Sequence, residues 1–318
     1  MKKIYFFLSI VGLLSTFVFF QIFFQKEYSS IFQIHQGEAF PSINQRLYNE
    51  KIIPSTSLFY HYVKYKKSLE GFKAGLYEVS SKESFFSLLQ KFTKGNFLTK
   101  KITIPEGYNH FDIAEILHKE NLCSKEHFFE LTKSSLFLKK YNIPSVEGYL
   151  FPSTYFIPLG SSCHSIVSSF IEETLKLKKK LHHPKFSFHE ILTLASIVQK
   201  ETGPSEEKII AGVFLNRLKK SMRLQSDPTV IYGFLPEFSG RIRKHHLEFH
   251  HPFNTYRISG LPPYPIANPG IKSILSILEP DHHDYLFFVS KNNGTHIFTK
   301  TYKEHSGYVD TYQIKKKN

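Results

Sequence analysis

The sequence predicts an α+β protein in three parts: an N-terminal transmembrane helix, an α+β region of short strand–turn–helix units, and a larger domain of mixed α/β character. Three observations predict it. A charge-free apolar run opens the chain, a strand–glycine–helix pattern recurs at a fixed offset, and helical periodicity then alternates with short strand patterns and proline-rich loops. The corresponding boundaries are 1–29, 30–124 and 125–318.

Ile4 to Phe24 carries no charged residue, and about 20 such positions cross a ~30 Å bilayer core as a helix. The first alanine is Ala39 and the first cysteine Cys123, so neither a small-residue signal-peptidase site nor a lipoprotein cysteine follows the run. The segment is therefore expected to remain as a single-pass anchor. Lys2 and Lys3 favour a cytoplasmic N-terminus, with the body of the chain outside the cytoplasmic membrane.

From Ile31 to Cys123 a pattern repeats at an offset of 70: Ile34, Gly37, Ile43, Leu47 and Glu50 correspond to Ile104, Gly107, Ile113, Leu117 and Glu120. Each copy reads as strand, glycine turn, helix. Between them a third unit combines a strand at Leu76 to Val79 with a helix from Ser84 to Phe92. Units of this size resemble LysM modules, which elsewhere bind N-acetylglucosamine-containing glycans. Fold analogy does not decide function, and a glycan-binding module and a spacer above the membrane both fit the pattern.

Glu126 to Lys180 is mostly helical in pattern, interrupted by EGYLFPSTYFIP. Glu147 in this segment, followed by aromatics able to stack on a sugar face, is a candidate substrate-binding carboxyl. Hydrogen bonding to backbone around the turn is the alternative role.

The next stretch places an acid where charge is disfavoured. In a helix from Ile191 to Thr202, Leu194, Ile197, Val198 and Glu201 share one face, and Gly203 with Pro204 ends it. A carboxyl on an apolar stripe is partly desolvated, which raises its pKa toward the range a general acid needs; a helix-end glutamate that pairs with a lysine or caps a neighbour is the alternative. Gln199 falls about 200° around the helix from Glu201 and faces elsewhere. A second helix turns Ile209, Ile210, Val213, Phe214 and Leu218 inward, and the polar run Arg223 to Thr229 reads as a loop. Four prolines and two glycines in NTYRISGLPPYPIANPG, from Asn254, imply a rigid shaped loop. A helix at Ile271 to Leu278 and a hairpin turning at Lys291 to Gly294 complete the pattern.

Composition excludes several classes. With 41 Lys plus Arg against 27 Asp plus Glu, the net charge is +14, which suits nucleic acid, anionic lipid or an anionic wall polymer. The extracytoplasmic body and the scattering of basic residues into doublets argue against nucleic acid. Histidine doublets point their side chains apart and no HExxH occurs, so no metal site is expected. No glycine-rich phosphate loop appears, and no cofactor is implied. Cys123 and Cys163 form neither a disulfide framework nor a metal site; one bridge is open to them outside the cytoplasm, but we expect them to stay unbridged.

Three ordered blocks, LASIVQKETG, AGVFLNRLKKSMRLQSDPTVIYG and NTYRISGLPPYPIANPG, together with EGYLFPSTY, closely resemble the YceG-like family of endolytic murein transglycosylases. The resemblance covers nearly the whole chain. It implies a membrane-anchored lyase that cuts nascent peptidoglycan strands between N-acetylmuramic acid and N-acetylglucosamine, leaving 1,6-anhydro ends. The glutamate of the KET triplet maps to Glu201 as the catalytic group. Gln225, Asp227, Asn254 and Tyr256 match motif positions, where they would hydrogen-bond sugar and orient Glu201 or else shape the loops, Asp227 beside Pro228 being apt to form a turn. Where many members read EKET this chain reads QKET, and Gln199 puts activity in doubt only if that upstream glutamate takes part in catalysis. Glycan strands and the cytoplasmic membrane are the implied partners, with peptidoglycan synthases as candidates that no residue identifies. An inert glycan-binding scaffold is the alternative. An aminodeoxychorismate lyase, a label attached to similar sequences, would need a pyridoxal phosphate lysine and a cytoplasmic site, which the anchor opposes.

Overall fold

A computed structural model describes residues 29–203 and 205–314; the apolar run expected to span the membrane lies outside the described residues. Among the described residues no helix is long and apolar enough to cross a membrane. The chain forms two compact units, the first ending at Lys100 and including 158–160, the second comprising 101–157 and 161–318.

In the first unit, strand β1 (Ser29–Ile34) pairs antiparallel with β2 (Gly75–Ser80), from Ser29 opposite Ser80 to Ile34 opposite Gly75. Helices α1 (Phe40–Asn49) and α2 (Thr56–Tyr65) lie between them in sequence, and α3 (Phe85–Lys94) follows. Serine starts α2 and α3: Ser55 Oγ accepts from Leu58 N and Ser84 Oγ from Ser87 N. Phe32, Ile34, Ile43, Leu47, Phe59 and Tyr77 join in one apolar core. The segment expected as a third independent repeat instead supplies the strand that closes the first one. Strand pairing between distant segments leaves no local signature, which is why the pattern alone reads as three units.

The second copy runs through β3 (Thr99–Thr103), α4 (His110–Lys119), α5 (Lys125–Lys133) and α6 (Ser135–Tyr141) to β4 (Thr154–Pro158), which pairs with β3. The offset persists in backbone detail. Gly37 and Gly107 both turn with positive φ, 75° and 78°, a conformation that glycine adopts without steric cost. After the helix, Lys51 and Asn121 enter the left-handed region at φ 56° and 52°, and Ile52 N and Leu122 N donate to Leu47 O and Leu117 O, each at 2.9 Å. The units part at Lys100, ahead of the expected boundary at 124, because Ile102, Ile104, Ile113, Ala114 and Leu117 pack into the second core.

Cys123 and Cys163 are joined by a disulfide, contrary to expectation. Their Cα atoms are 5.2 Å apart, inside the range a bridge requires. A separation of 40 residues in sequence conceals this proximity. Cys123 precedes α5, and Cys163 opens α7 (Cys163–Lys178).

Helix α8 (Phe188–Glu201) carries a capping box in which Ser187 and Glu190 satisfy each other's backbone N–H. Every residue from Ile191 to Val198 is buried, so the expected stripe is an all-round buried helix. It packs with α9 (Glu207–Lys219) and α12 (Ile271–Leu278). The polar run expected as a loop contains a short helix, α10 (Asp227–Gly233), with Pro228 in its first turn. Asp-Pro there starts a helix instead of a turn, because proline's fixed φ also suits the first helical turn. A further turn of helix, α11 (Lys244–Glu248), precedes the proline-rich loop. The expected hairpin is present as β5 (Phe287–Ser290) and β6 (His296–Thr299), with Phe287 opposite Thr299. Beyond it α13 (Tyr302–Val309) runs into a π-helical turn at Asp310–Ile314.

Candidate active site

Glu201 is the last residue of α8, and Thr202 leaves the helix in an extended conformation. The side chain thus projects from the end of a rigid buried rod. The residue keeps some exposed surface, yet protein atoms crowd its carboxyl. Burial is the largest influence on that carboxyl and, with the nearby Asp227 carboxylate, pushes its pKa up to about 7. A hydrogen bond from Ser226 and the nearby His296 and Arg217 act the other way and are outweighed.

Ser226 Oγ donates to Glu201 Oε1 at 2.6 Å. Ser226 occupies the N-cap of α10, where a serine oxygen ordinarily accepts a backbone N–H, but its hydroxyl makes no cap. The helix tolerates this because Pro228 has no N–H and Thr229 N reaches Ser226 O at 3.2 Å. Below it the backbone is locked: Ser226 N donates to Thr255 Oγ1 at 2.9 Å, Thr229 Oγ1 to Ser226 O at 2.6 Å, and the two threonine hydroxyls are 2.8 Å apart. Ser226, Thr229 and Thr255 are all buried. One oxygen of Glu201 is therefore fixed by a rigid hydroxyl.

Around it lie three exposed or partly exposed expected residues. Gln225 is exposed, holds a left-handed φ of 49°, and donates its N–H to Thr255 O at 3.2 Å. Asp227 is exposed and accepts from Tyr256 OH at 2.7 Å. Burial and the Asp227 carboxylate hold the Tyr256 phenol well above its ordinary pKa, so it stays a donor.

The other two expected residues are built into the fold. Asn254 is buried; its Nδ2 lies within hydrogen-bond reach of the carbonyls of His246, Leu247 and Phe249, and its Oδ1 accepts from Tyr256 N at 3.0 Å. It shapes the loop that presents Tyr256, leaving no polar atom for sugar. Glu147 is fully buried. Its Oε2 accepts from His110 N and Tyr232 OH, each at 3.0 Å, and from His110 Nδ1, while Oε1 accepts from Asn268 Nδ2 at 3.0 Å. It knots α4, α10 and the proline-rich loop together, with no lone pair facing solvent.

Gln199 faces away from Glu201, as the helical geometry requires. Its Oε1 accepts from Gly270 N and Ser273 Oγ, each at 2.9 Å, at the start of α12. Reasoning from sequence singled out neither Ser226 nor Arg217 as a site residue. Arg217 is buried, with Nε donating to Leu286 O at 2.6 Å and a terminal nitrogen to Leu224 O at 2.5 Å. Its place at the inner end of an amphipathic helix was the available signal. Among the described residues Cys123, His127 and Cys163 form a group of metal-ligating types, but the two sulfurs are bonded to each other.

A projecting carboxyl that is half protonated near neutrality, beside a hydroxyl clamp and a polar wall, can give and retake a proton. The chain is 36% identical over 309 residues to an endolytic murein transglycosylase of Bacillus subtilis (strain 168), covering 90% of this chain and 85% of the relative. It is 28% identical over 341 residues to an endolytic murein transglycosylase of Streptococcus pneumoniae (D39), spanning 92% of this chain and 60% of that protein. A crystal structure of a putative YceG-like protein from Listeria monocytogenes superimposes with a TM-score of 0.60 at 33% identity, over 89% of this chain and 100% of that one. The YceG-like family model matches residues 32–311, and the chain belongs to the YceG-like family.

Proposed function

We propose that the protein is a membrane-anchored endolytic peptidoglycan lytic transglycosylase, with Glu201 acting first as general acid and then as base. The observation that carries this is the Glu201 carboxyl, its pKa pushed up to about 7 and one oxygen fixed by Ser226. The names of the Bacillus and pneumococcal relatives support the substrate class. The charge-free run Ile4–Phe24 supports the anchor.

Protonated Glu201 gives its proton to the glycosidic oxygen linking N-acetylmuramic acid C1 to N-acetylglucosamine. The C1–O bond breaks, and the N-acetylglucosamine end leaves as an alcohol. Positive charge develops at C1 and the ring oxygen, where the Glu201 carboxylate and the Asp227–Tyr256 pair supply negative potential. The carboxylate then removes the proton from the muramic acid C6 hydroxyl, and O6 bonds to C1. No water is consumed, and Glu201 ends protonated as it began. One carboxyl suffices because the nucleophile, the C6 hydroxyl, belongs to the substrate, unlike the paired carboxylates of hydrolases. Gln225, Asp227 and Tyr256 would contact sugar, while Asn254 and Glu147 hold the loops that present them.

The test is digestion of uncrosslinked glycan strands by the full chain, with products identified by mass spectrometry. Anhydro-muramic ends that fall about 10²–10⁴-fold in Glu201→Gln are expected. Reducing ends would mean hydrolysis with Asp227 as second carboxylate. Uncut strands, where a muramidase cuts the same sample, would leave a glycan-binding scaffold.

A further inference from the structure

Among the described residues, the turn carrying Glu201 into α9 is held locally by Thr202 Oγ1, which donates to Val198 O at 2.5 Å. Thr202 is extended, Ser205 sits at φ 65°, and the backbone bond from Glu206 N to Gly203 O is long at 3.4 Å. Glu206 is the N-cap of α9, yet its side chain makes no cap. Its carboxylate is turned onto the C-terminal hairpin instead: Oε1 accepts from His296 N at 3.0 Å and Oε2 from His296 Nδ1 at 2.7 Å. Both side chains are largely buried, 13% exposed for His296 and 15% for Glu206. A few residues earlier, a Cβ on Gly203 would overlap the carbonyl oxygen of Gly294 at the hairpin tip. The turn is therefore pressed against the hairpin at one point and hydrogen-bonded to it at another.

The hairpin is itself anchored. Lys291 N donates to Thr295 O at 2.9 Å across the tip, and Arg217 Nε donates to Leu286 O at 2.6 Å at the base. Through Nη1 Arg217 also holds Leu224 O, at the entry to the Gln225–Ser226 segment. Both sides of the Glu201 carboxyl are thus referred to one rigid object. Its backbone root is held through Gly203 and Glu206, and its Oε1 through the segment that Arg217 fastens.

We infer that the β5–β6 hairpin is a positioning element for the candidate acid, with Glu206 and His296 as positioning residues that fix the turn after Glu201. The inference rests on Glu201 being the acid. It differs from a purely architectural role, because a hairpin that only completes the core would affect stability and not the placement of one side chain. Loss of the His296 Nδ1 bond leaves Glu206 on the residue-296 backbone N–H alone, so the turn after Glu201 loosens and the carboxyl moves relative to a bound strand. Catalysis suffers while strand binding, made by Gln225, Asp227 and Tyr256, does not.

The test compares His296→Ala and His296→Asn in the full chain, with glycan-strand cleavage measured for kcat and KM separately. Asn retains an N–H donor near the position of Nδ1. In His296→Ala kcat is expected to fall on the order of 10- to 100-fold with KM changed by less than about twofold, and His296→Asn recovers most of it. Amide exchange over residues 199–207, read by mass spectrometry in both variants, requires no turnover: it is faster in His296→Ala and near wild type in His296→Asn. Unchanged kcat, an Asn variant no better than Ala, or unchanged exchange in His296→Ala would overturn the inference. A wild-type chain that leaves strands uncut would instead remove the proposed activity, and the exchange comparison would still decide whether the hairpin holds the turn.

Discussion

Ser226 shows how one hydroxyl can be worth more to a site than to a helix. Its oxygen is withdrawn from capping α10 and given to Glu201, at a cost that Pro228 reduces by removing a backbone donor. The donated hydrogen bond favours the ionised carboxylate, so its loss moves the Glu201 pKa further upward. The groups facing Glu201 are Asp227, His296 and Arg217, and none is altered by Ser226→Ala. Wild-type kcat should fall as pH rises through about 7, where the acid form is lost. In Ser226→Ala that limb should move to higher pH while the plateau drops on the order of tenfold, since Oε1 is no longer held. A pH–rate profile checks both shifts; an unmoved limb means the serine is only structural. The burial of the Glu201 carboxyl was legible from the sequence because helical spacing placed it in line with buried residues, while its catalytic assignment came from the family resemblance. Ser226 was not, since an N-cap serine looks the same whether its oxygen caps a helix or serves an acid.

Elements with strong local grammar were read correctly and those built by distant pairing were not. Helix α12 has the bounds expected for it, and the hairpin turns where Lys291–Gly294 suggested. The partnership of Glu206 with His296 spans 90 residues and has no local trace. The same is true of β2 closing on β1, and of the bridge between Cys123 and Cys163. Asn254 illustrates a motif residue whose role only packing reveals. It was expected either to hydrogen-bond sugar and orient Glu201 or to shape its loop, and its bonds tie α11 and the following segment to the Tyr256 loop. Asn254→Ala leaves those buried carbonyls without a donor, and a loss of about 2–3 kcal/mol is expected in denaturant unfolding. A change below about 0.5 kcal/mol would mean that water replaces the amide without cost.

For the whole molecule, the disulfide closes a loop across a sequence separation of 40 residues, and a bridge of this kind stabilises by about 2–4 kcal/mol. Reduction by a dithiol, or the double substitution Cys123→Ala with Cys163→Ala, should therefore lower Tm by several degrees in calorimetry. An unchanged Tm would show that the surrounding core alone fixes the two helices. Such bridges persist in oxidising compartments, which suits the proposed extracytoplasmic location. The first copy reads βααβ and the second βαααβ, with three helices between β3 and β4. At the offset of 70, Phe40 and Ile53, both in the first core, correspond to His110 and Cys123. The first of these replacements supplies the imidazole that Glu147 holds, the second half of the covalent bridge. If one ancestral module was doubled, the apolar skeleton kept the common shape while two positions took up new trades in the second copy, Cys123 without leaving the core.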